Sequence, residues 1–335
     1  MNQSSTVSKS SPSIFSDSSF SVPVEAFRQE RKSASPDLVN WQYVHHARDT
    51  DEQNKLFQWN GKQSLLDWIK VMGACRLMQS SVRLEQSLLD ESNACYEKIF
   101  QSLGQRFDVH SLNLQNAFDF QICTLLPHIR SVLDYGAGHA RQSFLFSRIP
   151  GVTVFENDAV ETSYFSQHWV LKTLGFPLWD YFDQPSTLQE FLAKKESKVV
   201  HLPTWQNDLI PDRSLDLVMF IWSFSEMSEA ASAHAIKTCI KKLREGGYVY
   251  LRDEPHSHGM RMEKQFILNG FLPVFQSWTL ADTENISGSP RLYRYMPKYL
   301  NKRNTQYCGF LFTTWKKRTF SLKQMLVRLK RLMPF

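Results

Sequence analysis

The sequence lacks any run of about 18 apolar residues, so no segment is predicted to cross a membrane as a helix. An apolar leader is missing too. The first 21 residues hold ten serines and no long apolar stretch, which argues against a signal peptide. Cysteine is scarce, with five residues scattered at positions 75, 95, 123, 239 and 308 and no Cys-x-x-Cys pair. That pattern points to reduced thiols rather than disulfides or zinc. His45-His46 and His256-x-His258 are the close histidine groupings; neither makes a ligand pattern, and no metal is expected. The body also lacks excess positive charge. Residues 316–335 carry seven Lys or Arg and no acid, which leaves the other 315 residues at −1 out of a formal +6. Nucleic acid is therefore not the expected partner. The chain is expected to be soluble and cytoplasmic, with membrane association through its tail as the one addition.

What is present divides the chain into four. Residues 1–38 are read as a disordered Ser-rich segment, too poor in apolar surface to offset its ordering entropy. Residues 39–114 form an N-terminal helical region. Leu84, Leu88, Cys95, Tyr96, Ile99, Phe100 and Leu103 largely follow helical spacing there, as do Leu114, Phe118, Ile122, Leu125 and Ile129 beyond it. Residues 115–315 form the main domain, and 316–335 a basic amphipathic tail. A hydrophobic content of 42% supports a sizeable core.

The most informative stretch runs from Val132 to Arg141, reading Val-Leu-Asp-Tyr-Gly-Ala-Gly-His-Ala-Arg. A short apolar strand ends in an acid, and Gly136 and Gly138 allow a tight turn that brings backbone close to a ligand. Ala140 stands where a third small residue lets helix pack on strand. Val152 to Phe155 reads as a second strand ending in Glu156, 20 residues after Gly136, where an acid can bond ribose hydroxyls. Further strands are predicted at 198–202, 215–222, 247–252, 271–276 and 308–314. Helical patterns at 141–148, 160–173, 186–195 and 228–244 separate the first five strands. The alternation predicts an α/β, doubly wound, Rossmann-like sheet whose ligand crevice lies at the strand carboxyl ends.

Leu-Asp-Tyr-Gly-Ala-Gly, the acid after the next strand, Pro-Asp-Arg-Ser-Leu-Asp-Leu-Val and Lys-Lys-Leu-Arg-Glu-Gly-Gly-Tyr-Val-Tyr-Leu together resemble class I S-adenosylmethionine-dependent methyltransferases over about residues 115–315. The narrower resemblance, a loose one, is to bacterial sugar O-methyltransferases. The resemblance implies a seven-stranded sheet with its last strand antiparallel and S-adenosylmethionine as cofactor. It puts Asp134, Gly136 and Gly138 around the methionine and sugar parts and Glu156 on the ribose. Adenine contacts fall between Thr204 and Asp208, where Trp205 and Asp208 are candidates although the usual pattern is not kept. A nicotinamide-dependent oxidoreductase is the competitor, since Gly-Ala-Gly-His-Ala-Arg partly mimics its glycine turn.

Methyl transfer from a sulfonium needs alignment, exclusion of water and, for a hydroxyl acceptor, a base. The Asn/Asp-Pro-Pro-aromatic turn of amino-group methylation in nucleic acid is missing, as is a Pro-Cys pair for carbon methylation. A small-molecule, sugar or glycan-linked hydroxyl is left. Candidate bases follow the fourth and fifth strands: Glu226, Asp253 and His256. The connection from Ser277 to Gln306 reads as a long loop over the crevice. Its Arg291, Tyr293, Arg294 and Tyr295 are candidate acceptor contacts, because rings stack on sugars and guanidinium groups hold phosphate or carboxylate. A binding module that keeps the fold without turnover is the alternative from a different class.

In the tail, Leu322, Met325, Leu326, Leu329, Leu332 and Met333 share a helical face opposite Lys323, Arg328, Lys330 and Arg331. Such a helix can lie in an anionic membrane interface or dock on a partner. At about 1 kcal/mol per basic residue near an anionic surface, four engaged cations contribute several kcal/mol. Vesicle co-sedimentation should pellet the full chain, more weakly as salt is raised, and should leave a chain ending at Thr314 in solution. Equal behaviour of the two would assign the tail to a protein surface instead.

Overall fold

The computed structural model describes residues 22–35, 58–66, 86–104, 119–121, 123–124, 126–184, 186–224, 226–253, 265–276 and 289–297. These include one sheet of eight strands: β1 (Ser131–Tyr135), β2 (Thr153–Asp158), β3 (Leu178–Asp180), β4 (Lys198–Pro203), β5 (Leu215–Ile221), β6 (Leu243–Asp253), β7 (Phe271–Gln276) and β8 (Ser289–Tyr295). Their order is β3-β4-β2-β1-β5-β6-β8-β7. Strands β1 to β6 are mutually parallel, and β8 runs antiparallel between β6 and β7. The chain leaves β1 for β2 on one side and later returns to β5 on the other. The crevice of a doubly wound sheet opens at such a reversal, above the carboxyl ends of β1 and β5.

The strand residues alternate between two cores, as a sheet covered on both faces requires. Val132, Val154, Val199 and Leu217 face one core; Leu133, Phe155, Val200 and Val218 face the other. Helices α1 (Val24–Ser33), α2 (Gln86–Ser102), α3 (Ser143–Ser147) and α4 (Glu161–Leu174) contribute buried side chains to the first core. Helices α5 (Leu188–Ala193) and α6 (Glu229–Lys242) contribute to the second. Local chemistry sets their ends. Thr187 and Glu190 close a capping box on α5. The Ser228 hydroxyl accepts from the Ala231 amide at α6, which places Glu229 in its first turn and Lys241 and Lys242 in its last.

Three expectations need correction. Among the described residues the sheet has eight strands rather than seven, and one of them, β3, joins its edge unannounced by the sequence. Three residues are too few for a periodic signal, and β3 pairs only over Leu178 to Asp180 with β4. Ser289–Tyr295, inside the connection read as a loop, is an antiparallel strand; residues 308–314, read as the returning strand, lie outside the described residues, as does the tail from 316. Residues 22–35 of the segment read as disordered contain α1. Its Phe27 is fully buried against Tyr164, Phe165, Phe182 and Trp205 at centroid distances of 5.0 to 5.8 Å. Arg28 grips Glu161 of α4 through two hydrogen bonds of 2.9 and 2.8 Å. One aromatic ring and one bidentate ion pair anchor a helix that composition alone hides.

A second buried pair joins the region before the sheet to β6. Arg252 Nε and Nη2 donate to Asp119, at 2.7 and 2.6 Å, and the Tyr250 hydroxyl donates to the same carboxylate at 2.6 Å. Both partners of the ion pair are fully buried. Asp119→Ala would leave a buried guanidinium without its counter-charge, a loss of about 3–5 kcal/mol. Urea unfolding should show that drop in full.

Candidate active site

The backbone between β1 and α3 is held by the end of β2. The amides of Gly136 and Ala137 donate to the Asn157 carbonyl at 3.0 and 3.2 Å, and the Gly136 amide is also 3.1 Å from Asn157 Oδ1. The Asn157 amide in turn donates to Asn207 Oδ1 at 2.7 Å. Ser223, just after β5, donates to the Tyr135 carbonyl at 2.7 Å. The turn is thereby fixed from β2, from the segment after β4 and from β5. Gly136 and Gly138 have φ of 70° and 62°, the left-handed region in which L side chains are strained. A Cβ placed on Gly138 would meet nothing within 4 Å, so the backbone there borders open space.

Strand register brings ionisable side chains into one row on the sheet face covered by α1 to α4. Asp180 pairs with His201, His201 with Glu156, and Glu156 with Asp134. Asp158 lies one step further along β2 on the same face. Glu156 is completely buried, and neither of its carboxylate oxygens has a partner at hydrogen-bonding geometry among the described residues. Burial, then the neighbouring Asp134, pushes its carboxyl well above the ordinary value, with the nearby Ser143 hydroxyl opposing. Asp134 is pushed up to about 7 by burial, although Arg141 opposes the shift. Burial also takes Asp158 to about 7, against the backbone amides of Val160 and Gly138 and the Gln167 side chain. Glu226, after β5, is pushed up to about 8 by burial and by Asp253, with Asp158 adding and Arg141 opposing. Carboxyls from four strand ends therefore converge beside the glycine turn.

The site residues anticipated from sequence divide accordingly. Asp134, Gly136, Gly138 and Glu156 come together at the turn. Glu226 and Asp253 stand close enough to influence one another, and Asp253 is buried at the end of β6; His256 lies outside the described residues. Trp205 packs edge-on against Phe27 and donates to Glu30 at 3.1 Å, so α1 occupies its indole nitrogen. Asp208 is an exposed partner of Lys241 at 2.6 Å and does not join the site. The proposed loop contacts are sheet residues. Tyr293 is fully buried and stacked on Phe266, Tyr295 packs on Phe271, Arg294 lies over Tyr248, and Arg291 donates to the Asp253 carbonyl. They fill the space between β6 and β7 and cannot reach out as a loop would. Asp158, Asn157, Asn207 and Arg141 were missed. Asp158 alone left a trace in the sequence, an acid two residues after Glu156 on the same strand face.

No family model and no curated protein sequence matches the chain. It is similar in chain path to solved structures. One is an S-adenosylmethionine-dependent methyltransferase from Methanosarcina mazei, with 15% identity over 52% of this chain and 97% of that one and a TM-score of 0.36. Another is phosphoethanolamine N-methyltransferase 1 from Haemonchus contortus, in complex with phosphoethanolamine and S-adenosylhomocysteine. There the identity is 15%, the coverage 73% of this chain and 53% of that one, and the TM-score 0.34. The [4+2]-cyclase SpnF is similar at 10% identity over 66% of this chain and 99% of that one, with a TM-score of 0.38. Likeness at this level says nothing of activity.

Raised carboxyls give a definite pH signature. Folded Asp134, Asp158 and Glu226 keep protons to about pH 7 or 8, whereas unfolded carboxyls release them near pH 4. The folded state therefore binds more protons between those limits, and stability falls as pH rises through that window. Glu226→Gln removes one such group. The difference in thermal midpoint between this variant and the parent should widen, in favour of the variant, as pH is raised from 5 to about 8. A constant difference would mean that Glu226 titrates normally.

Proposed function

We propose that the protein is an S-adenosylmethionine-dependent methyltransferase that methylates a hydroxyl, of a sugar or a glycan-linked compound. The observation that carries this reading is the unpartnered, fully buried carboxylate of Glu156 beside the open glycine turn. Buried polar groups without partners are rare, and each calls for a missing one. A ribose diol supplies two donors to one carboxylate, and the left-handed turn at Gly136 and Gly138 leaves room for the rest of the nucleoside. The convergent carboxyls of Asp134, Asp158 and Glu226 favour a ligand bearing positive charge, because a cation nearby stabilises their ionised forms. The antiparallel β8 between β6 and β7 also departs from the strand order of dinucleotide-binding sheets.

The residues present fit the cofactor, which supplies an electrophilic methyl group when bound. Gly136 and Gly138 admit its backbone-facing side, Glu156 would accept from the ribose, and Asp134 would balance positive charge on the methionine part. Glu226 is placed to accept the proton of an acceptor hydroxyl as the oxygen takes the methyl. A carboxyl with a value near 8 is a stronger base than an ordinary carboxylate and is suited to work near neutrality. Asp253, which raises Glu226, tunes that base. The hydroxyl assignment rests on this pairing and on the missing amino- and carbon-methylation motifs. An acceptor held at a membrane surface would suit the basic tail.

Calorimetry with S-adenosylmethionine, S-adenosylhomocysteine and NAD tests the reading. The sulfonium should bind with proton release near pH 7, more than its neutral demethylated product shows, and NAD should not bind. Gly138→Val should abolish binding, and Glu156→Gln should weaken it by about 1–3 kcal/mol, the loss of a charge-assisted hydrogen bond. Glu226→Gln should leave affinity within a few-fold and lower turnover by about 10²–10⁴. Unchanged cofactor affinity in folded Gly138→Val and Glu156→Gln chains would sink the assignment. Intact binding without turnover on any hydroxyl compound would favour the non-catalytic module.

A further inference from the structure

At the β3 end of the polar row, three strands away from the glycine turn, α4, β3 and β4 bring together a cluster that the methyl-transfer reading does not use. His168 of α4, Asp180 of β3 and His201 of β4 are all buried, and one ligand-capable atom from each lies within 4.8 Å of the others. The Nδ1 atoms of both imidazoles face one oxygen, Asp180 Oδ2, at 2.8 and 2.5 Å. The other oxygen, Oδ1, is already served by the Phe182 amide at 2.9 Å and the Tyr164 hydroxyl at 3.4 Å. Oδ2 and two imidazole nitrogens therefore converge on one point.

The hydrogen bonds around the cluster limit what can lie there. With Asp158 ionised, the Gln167 amide nitrogen donates to its Oδ2 at 3.1 Å. The Gln167 carbonyl oxygen then faces His201 Nε2 at 3.0 Å, so Nε2 carries a hydrogen. A neutral His201 accordingly points the Nδ1 lone pair at a carboxylate oxygen. Lone pairs this close repel unless positive charge sits between them. A proton there would make His201 an imidazolium in a fully buried site, while His168 competes for the same oxygen. A divalent ion would satisfy all three atoms once the two nitrogens draw back from their 2.8 and 2.5 Å contacts with Oδ2, because ligands at about 2.0–2.2 Å from a tetrahedral ion stand farther apart than that.

We propose that His168 Nδ1, His201 Nδ1 and Asp180 Oδ2 bind a divalent first-row transition ion of the zinc class. Two borderline nitrogens and one carboxylate are a donor set for such ions rather than for calcium or magnesium. The outer surroundings fit as well. The second nitrogen of His201 is held by Gln167, as metal-bound imidazoles generally are. The Tyr164 ring stacks on His201 at 3.8 Å between centroids and fixes its plane. Three protein ligands leave a fourth position for water. On binding, the ion takes the place of any proton between His201 and Asp180, and that proton leaves to solvent. The ion would staple β3, an edge strand with three paired residues, to both α4 and β4. This inference stands apart from the methyl-transfer reading.

The full chain, purified without chelator and dialysed against zinc, should retain one equivalent per molecule. Cobalt in its place should give visible d–d absorption. The thermal midpoint should rise with zinc and fall with chelator. His168→Gln, at the outer rim of the cluster, and Asp180→Asn both keep hydrogen-bonding capacity. Each should cost more than the roughly 10–100-fold in affinity typical of an outer partner, with Gln167→Leu falling within that range. Circular dichroism identifies which variants are folded. A folded parent chain that binds neither zinc nor cobalt overturns the proposal, as does a folded His168→Gln or Asp180→Asn chain that binds them equally. The cluster is then a hydrogen-bonded network only.

Discussion

Burying ionisable side chains in one row of a sheet constrains everything packed around them. Asp180, His201, Glu156 and Asp134 lie side by side across four parallel strands on a face otherwise filled by valine, leucine and aromatic rings. An isolated charge in such surroundings costs far more than a fold can offset, so each group must be neutralised, paired or supplied with a ligand. The row answers differently along its length. At the β3 edge, Asp180 accepts from the Phe182 amide and the Tyr164 hydroxyl and faces two imidazoles, and the neighbouring His201 and His168 hold its carboxyl below the ordinary range although burial acts the other way. In the middle, Glu156 has no partner and Asp134 is displaced upward. The unsatisfied middle lies against the glycine turn, and a ligand is wanted there.

The elements that cover this face close the site as well as the core. Helix α1 reaches it through Phe27 and Arg28. Because Arg28 bonds Glu161 in the first turn of α4, the covering helix is tied to the helix that follows β2. The Trp59 amide donates to the same Glu161 at 2.7 Å, so two segments before the sheet converge on one carboxylate. On the other side, Asp119 is clamped by Arg252 and Tyr250 of β6. Stability and site formation are coupled here, since the polar contacts that dock the N-terminal elements also exclude water from the row.

How much was legible depended on the range of the signal. The Val132 to Arg141 stretch fixes a strand and the glycine turn after it, and the structure has both, with α3 opening two residues later at Ser143. The same holds for β2, β4, β5 and β6, whose apolar runs are long enough to read. Strand β3 was not legible, because Leu-Trp-Asp has no period and becomes a strand only by pairing with β4. Strand β8 was mistaken for a loop. Its Ser-Pro-Arg-Leu-Tyr-Arg-Tyr carries charge and aromatics that suit an exposed connection equally well, and only its insertion between β6 and β7 buries them. For α1, low hydrophobicity was a fair sign of disorder until one phenylalanine found a pocket made by residues more than 130 positions away.

The sequence by itself determined the glycine turn and the acid facing it, which follow from contacts within some 25 residues, and the parallel sheet through the alternation of strands and helices along the chain. It also determined the basic amphipathic pattern of the tail. Tertiary structure alone decided which polar groups share an environment. His168, Asp180 and His201 are separated by 12 and 21 positions with no motif among them, and strand register with one helical face brings their nitrogens to a single oxygen. It decided that Trp205 serves α1, that Asp208 faces solvent and that Tyr293 is core. Burial sets the values of Asp134, Asp158 and Glu226, and burial is a property of what packs above a residue rather than of its neighbours in the chain.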